Sequence, residues 1–134
     1  GEGPYYCFYT PYHLPHLQII TTVARAALFH DATVTPLGAP STDVVTMAKR
    51  DLKAGETLDG IGGFCTYGNI ENADQAMAAG SLPMGLSHGC KVKRDLPKDH
   101  ILSYSDVIMP EARLADRLRA EQDETFFSSV RKKA

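Results

Sequence analysis

Two pairs of adjacent basic residues are the groups in this sequence best suited to bind a charged ligand. They are Lys49-Arg50 and Lys93-Arg94, and Asp-Leu follows each pair. Ammonium and guanidinium groups bind carboxylates and phosphates through charge-assisted hydrogen bonds. The pairs therefore predict two related sites for a sugar phosphate or a sugar acid. The alternative is that each Lys-Arg-Asp trio is a solvated strand end, with Arg and Asp pairing between the two trios. Strand alternation favours this alternative, because it turns the two cations of a pair to opposite faces.

Two histidines, His13 and His16, lie three positions apart near Tyr12. At the start of a helix this spacing can present two imidazoles on one face, as metal ligands do. Apart from Cys7, however, no further metal-ligating side chain is close in the sequence. A second role is contact with a substrate or cofactor held mainly by other domains, and a third is structural hydrogen bonding. The structural role is favoured, and no metal site is predicted.

Two further motifs are weaker signals of chemistry. His88 and Cys90 share one face of a strand, but a nucleophile also needs an orienting third group and a cleft. The glycine-rich string at residues 60–63 is followed by a strand-like run and not by a helix, so it predicts a loop and not a phosphate cradle. No catalytic residues are predicted in this chain.

The composition limits the classes of protein that the sequence can encode. The chain has 134 residues, of which 43% are hydrophobic and 22% are charged, as in a small globular protein. A net charge of −2 argues against nucleic acid as a partner. No apolar run approaches the roughly 18 residues of a membrane span, so no membrane partner is expected. Three scattered cysteines favour free thiols in a reducing, cytoplasmic location.

An internal repeat dominates the middle of the chain. Residues 48–58 return as residues 92–102, and both copies contain Lys-Arg-Asp-Leu with a second leucine six positions later. Each copy is predicted to form a strand, a polar turn and a short apolar segment that runs back in the opposite direction. Gly55 suits the first turn and Pro97 the second. The repeat predicts an internally pseudo-symmetric β module.

The repeat and the regions on either side of it predict a chain of three parts. Residues 1–43 hold an aromatic segment expected to pack on other protein, a helix over about 16–29 and a linker. Residues 44–109 form the β module, which includes a short helix with a capping box formed by Asn72 and Gln75 and closed by Gly80. Residues 110–134 form a C-terminal helix, predicted over about 110–124, and a tail. The predicted fold class is mainly β with flanking helices, an α+β protein.

The sequence resembles the SAF domain, a β-clip module also found in antifreeze-like proteins, over roughly residues 44–108. The resemblance lies in the two copies of the repeat, in Leu82-Pro-Met-Gly-Leu86 and in Ile101-Leu-Ser-Tyr-Ser-Asp-Val107. It implies a β-clip fold with an internal pseudo-twofold axis.

The flanking sequence is similar to the C-terminal third of homoserine-dehydrogenase-like and 1-deoxy-D-xylulose 5-phosphate reductoisomerase-like oxidoreductases. The similarity lies in Phe8-Tyr-Thr-Pro-Tyr-His-Leu14, in Val23-Ala-Arg-Ala26 and in residues 31–38. It implies that residues 1–43 are the remnant of a catalytic domain, and that Rossmann and catalytic domains precede this chain as its partners. NAD(P) would then bind to the parent protein, and no cofactor to this chain.

The resemblance leads to one function and leaves two alternatives. In the first, the chain is the non-catalytic SAF part of such an oxidoreductase and covers its cleft or forms its subunit interface. In the second, it is a stand-alone module that binds a sugar acid or sugar phosphate through its basic turns. The candidate substrate-binding residues of the chain are Tyr12, His13, His16, Lys49, Arg50, Lys93 and Arg94. In the third, it is a ligand-free oligomerisation domain, for which a homodimer is the expected state.

Overall fold

The computed structural model describes residues 3, 5–7, 9, 15–35 and 38–131, without the side chains of residues 15, 17 and 128–131. The chain divides into two compact units, Gly1–Gly38 and Ala39–Ala134. Within the described residues there are three α-helices and two small antiparallel sheets. The coarser fold prediction, a small α+β protein, is therefore confirmed.

The first unit contains helix α1, Pro15–Phe29. The helix begins at Pro15, as expected for proline at a first helical position. An N–H at this position would have no hydrogen-bond partner in the helix, so proline loses nothing by lacking one. His30 follows in the left-handed region with φ 51°, and Arg25 forms an ion pair with Asp31 just beyond the helix. Five large apolar side chains of α1 are exposed: Ile19, Ile20, Val23, Leu28 and Phe29. In the aromatic segment, Tyr5, Tyr6 and Tyr9 are exposed as well.

The second unit is built on strand β1, Thr42–Ala48, which pairs antiparallel with β2, Thr66–Asn72. The register places Val44 opposite Ile70 and Val45 opposite Asn69. A second sheet joins β3, Lys91–Val92, to β4, Val107–Ile108. Single bridges from β1 to Pro83 and Ile101 bring other segments against its opposite edge.

Backbone hydrogen bonds join the two copies of the repeat in reciprocal pairs. Leu52 and Leu96 each donate to the other, at 2.9 and 3.0 Å. Gly55 donates to Val92 at 2.7 Å, and Asp99 donates to Ala48 at 2.8 Å. The core lies beneath these bonds, and its fully buried aliphatic side chains come largely from the two copies: Ala48, Leu52, Leu58, Val92, Leu96 and Leu102.

Helix α2, Ala73–Ala78, follows β2 directly. Gly80 closes it with φ 62°, as predicted. The predicted capping box is wrong, because the Asn72 side chain makes no capping bond. Asn72 is the last residue of β2 and is held by pairing with Thr42. Short 3₁₀ helices at Met84–Leu86 and Tyr104–Asp106 complete the module.

Helix α3 spans Leu114–Arg131 with a kink at Phe127, where φ is −121° and ψ is 15°. Its predicted start at Pro110 is wrong. Two observations explain the later start. Ala112 has a φ of 57°, which interrupts helical backbone. Arg113 then donates to the carbonyls of Leu86 and His88, at 3.0 and 2.8 Å, and ties the chain to the module before the helix begins. No helix in the described part of the chain is long and apolar enough to cross a membrane.

Candidate functional site

All four cations of the predicted anion sites have partners within the molecule. Arg50 forms an ion pair with Glu56, and Lys49 Nζ donates to the carbonyl of Gly63 at 3.0 Å. Arg94 pairs with Asp106 at 2.7 Å, and Lys93 Nζ donates to the carbonyl of Ser105 at 3.2 Å. At each turn the arginine is therefore paired with a carboxylate and the lysine is bonded to a backbone carbonyl.

The aspartates of the two trios bind backbone from the opposite copy. Asp51 Oδ1 accepts from the Lys98 N–H at 2.8 Å, and Asp95 Oδ1 accepts from the Ala54 N–H at 2.9 Å. Lys53 adds an ion pair to Asp95 at 2.8 Å. The trios therefore connect the copies, but through Asp and backbone and not through the Arg–Asp pairing that the sequence suggested.

Asp106 is a buried carboxylate of the second unit, with a side chain only 3% exposed. It accepts hydrogen bonds from the backbone N–H and the hydroxyl of Ser103, from Arg94 and from His100. Burial alone would raise the pKa of Asp106, but these donors hold that pKa well below its usual range. The carboxylate is thus a fixed anion that stabilises the turn, with Ser103 and Asp106 forming a capping box.

Sequence reasoning missed this network, although a signal was present. Ser103 and Asp106 have the Ser-x-x-acid spacing of a capping box. His100 and Arg94 reach the same carboxylate from the second copy of the repeat. The box could have been predicted from spacing, whereas the ion pair with Arg94 depends on how residues 12 positions apart meet in the fold.

The residues predicted to contact a substrate in the first unit do not form a described site. Tyr12 and His13 lie outside the described residues, and His16 is exposed on α1. Across residues 15–35 and 38–131, together with the few described residues before them, no group of three or more His, Cys, Asp or Glu side chains could hold a metal ion.

The His88 and Cys90 side chains have different partners. His88 Nδ1 lies 3.2 Å from the carbonyl of Asp59, whereas the Cys90 thiol donates to the carbonyl of Leu86 at 3.2 Å. Burial raises the pKa of the Cys90 thiol, which disfavours a thiolate. The pair therefore has the geometry of two structural side chains and not of a nucleophile and its base.

The glycine-rich string forms an ordered loop held by Asp59. Its carboxylate accepts from the backbone N–H groups of Phe64 and Cys65, at 2.6 and 3.1 Å. These bonds, led by the one from Phe64, lower the pKa of Asp59. A Cβ on Gly63 would lie 2.2 Å from the Asp59 carboxyl carbon, so any larger residue there would displace that carboxylate. The loop binds its own carboxylate and leaves Ile61 and Phe64 exposed.

A cleft of about 430 Å³ lies beside α2 and α3. Its lining includes the apolar side chains of Met77, Leu86 and Met109 and the polar side chains of Tyr104 and Arg119. Arg119 is held there by Asp43 at 2.6 Å and by Asp123 at 2.8 Å. Burial raises the pKa of the Tyr104 phenol, so the phenol stays protonated near neutral pH. Ion pairs of Arg119 therefore join α3 to β1 at this cleft.

No protein-family model matches this sequence, and comparison with curated proteins found no match.

Proposed function

We propose that this chain is the non-catalytic C-terminal SAF part of an NAD(P)-dependent oxidoreductase of the reductoisomerase-like or homoserine-dehydrogenase-like kind. Residues 44–109 would form its β-clip, related within itself by a pseudo-twofold axis. The proposal rests on the resemblance of both repeat copies and their flanks to that family. It assigns the chain an assembly role, with NAD(P) and the reacting substrate bound by the preceding domains.

Equivalent hydrogen bonds support the β-clip. A shift of 44 positions relates Leu52 to Leu96, and that pair exchanges both of its backbone bonds. The same shift converts the bond from Leu58 to Cys90 into the bond from Leu102 to Thr46, and their lengths are 2.8 and 2.9 Å. Bonds that map onto one another when the two copies are exchanged are those expected of a local twofold axis.

The internal contacts of the four basic side chains favour an assembly role for this chain over a role in anion binding. Each of Lys49, Arg50, Lys93 and Arg94 already contacts an internal carboxylate or carbonyl. A sugar phosphate could bind these cations only by displacing those partners. Because hydrogen bonds and ion pairs exposed to water contribute little net free energy, the exchange would give little affinity for the ligand. We therefore expect no saturable binding of sugar acids or sugar phosphates at millimolar concentration.

The exposed apolar surface of α1 is the structural observation that carries the assembly role. Ile20 is 74% exposed and Phe29 is 72% exposed, in a helix whose only charged residue, Arg25, is paired with Asp31. Several large apolar side chains on one short helix are typical of a surface that another protein covers. Preceding domains of the same polypeptide would supply that cover.

The intact mass of the native gene product tests the proposal. We expect a mass well above the 14.6 kDa of this chain, and saturable quenching of NAD(P)H fluorescence by the native product only. In the native product, a thiol introduced by Val23→Cys should react more slowly than in this chain, because the preceding domains cover α1. Leu118→Cys on α3 is the matched control and should react equally in both. A native product of 14.6 kDa would contradict the proposal.

A further inference from the structure

The outer edge of β2 is an open hydrogen-bonding edge. On β1, Thr46 donates to Leu82 and accepts from Leu102, so its backbone groups point away from β2. In an antiparallel ladder the direction alternates, so Val45 and Met47 bond β2 through Asn69 and Tyr67. The N–H and C=O groups of the alternate β2 residues, Gly68 and Ile70, therefore point outward. No other strand in the described part of the chain pairs with that edge.

We propose that a second copy of this chain pairs with this edge, β2 against β2, antiparallel and centred on Asn69. This register places Gly68 opposite Ile70 of the second copy and Ile70 opposite its Gly68. Both residues of each pair have outward-pointing backbone groups, so each pair can exchange two N–H···O=C bonds. The two strands then share one twofold axis, which makes the interface closed and self-complementary.

The side chains around the edge fit a copy of themselves. Glu71 is the only charged residue of β2, and in this register it lies opposite Tyr67 of the copy and not opposite Glu71. Ile70, 66% exposed, would cross to a position that has no side chain, Gly68. Val44, opposite Ile70 on β1, lies on the same sheet face and is also exposed. The pairing therefore covers apolar side chains without placing like charges together.

An unpaired strand edge of this kind would make a free chain prone to pair with other chains. Strands that remain unpaired in native proteins are usually protected by lysine, proline or a bulge on the edge. The outward-facing positions of β2 hold Gly68 and Ile70, and neither protects the edge. The inference deepens the assembly role proposed above and rests on that role, but it needs neither NAD(P) nor the preceding domains.

Sedimentation equilibrium of the full chain from 5 to 500 µM tests the association. We expect a concentration-dependent dimer that Ile70→Lys weakens at least tenfold, because lysine would meet the apolar edge of the copy. Leu118→Lys is the control, since it adds the same charge at an exposed position on α3 and should leave the dimer unchanged. A chain that stays monomeric at 500 µM, or a dimer indifferent to Ile70→Lys, would overturn the inference.

Disulfide trapping in a Cys7→Ser background tests the register. Asn69 lies opposite its own copy in a non-hydrogen-bonded pair, with Cα atoms about 4.5 Å apart, within reach of a disulfide. Asn69→Cys should therefore form a covalent dimer under mild oxidation. Glu71→Cys should not, because its two copies lie about 13 Å apart along the strands. Equal cross-linking of both variants would overturn the register, whereas the absence of NAD(P)H binding by the native product would contradict only the oxidoreductase assignment.

Discussion

Leu52 and Leu96 exchange both backbone hydrogen bonds, at 2.9 and 3.0 Å, and their side chains are 0% and 1% exposed. Each leucine thus closes the backbone ladder between the two repeat copies and fills the core beneath it. A position where the copies are bonded to each other is thus also fully buried in the core.

Truncation of either leucine should strongly destabilise the second unit. We expect Leu52→Ala and Leu96→Ala each to lower the free energy of unfolding by about 2–5 kcal/mol, because each leaves a cavity in a closed core. Since the two residues are paired, the double variant should depart from additivity by more than about 0.5 kcal/mol. Urea denaturation measures all three. Leu118→Ala, at an exposed position on α3, is the control, and an equal cost there would contradict the assignment of the core.

The Asp106 network should make stability depend on pH in the acid range. The pKa of Asp106 is lower in the folded chain than in the unfolded chain, where it is about 4. The stability that its carboxylate contributes is therefore complete above the unfolded-state pKa and is lost as pH falls toward the folded-state pKa. We expect the free energy of unfolding to decline below about pH 5.

Asp106→Asn should lower the free energy of unfolding at pH 7 by about 1–3 kcal/mol, because the donors of Ser103, Arg94 and His100 lose a buried, charged acceptor. It should also flatten the acid decline, which denaturant melts at a series of pH values would record. Glu124→Gln, which removes the same charge from an exposed position on α3, should do neither. An acid decline of undiminished slope in Asp106→Asn would show that other carboxylates cause it.

Substitution of Gly63 should destabilise the glycine-rich loop. In Gly63→Ala the added methyl would meet the Asp59 carboxylate, so the bonds to the Phe64 and Cys65 N–H groups must lengthen or break. We expect a cost of about 1–3 kcal/mol in thermal or urea unfolding. Gly85→Ala is the control, because a Cβ there meets nothing within 4 Å. Equal stability of the two variants would contradict the role of Asp59.

The three thiols should differ in reactivity. Cys7 is exposed, whereas Cys65 and Cys90 are buried, and burial raises the pKa of both buried thiols. We expect one thiol per chain to react rapidly with Ellman's reagent at pH 8 and the other two only after unfolding. Cys7→Ser should remove the rapid phase alone. Two rapid thiols in the native chain would contradict the buried position of Cys65 or Cys90.

Local signals predicted much of the fold. Proline and apolar spacing predicted α1 to within a residue, and Gly80 marked the end of α2. The turn at Gly55 was also visible, and it has φ 84°. The equivalent position of the second copy is Asp99, with φ 64°, where an acidic residue gives a much weaker signal of left-handed backbone.

The candidate site was less predictable, because it depends on contacts between distant segments. The basic pairs were found from the sequence, but their partners were not. Arg94 meets Asp106 through the fold of the second copy, and Arg119 on α3 reaches back 76 positions to Asp43. The start of α3 was missed for the same reason, since Arg113 bonds the carbonyls of Leu86 and His88.

The reciprocal bonds between the repeat copies also bear on how quickly the second unit folds. Leu52 can meet Leu96 only after the intervening 43 residues have closed into a loop, and that closure costs chain entropy before any side chain is buried. Neither copy can complete its ladder alone, so little native structure is available to guide early collapse. Refolding of this unit should therefore be slow for its size, on a scale of milliseconds to seconds, although helices α2 and α3 form locally.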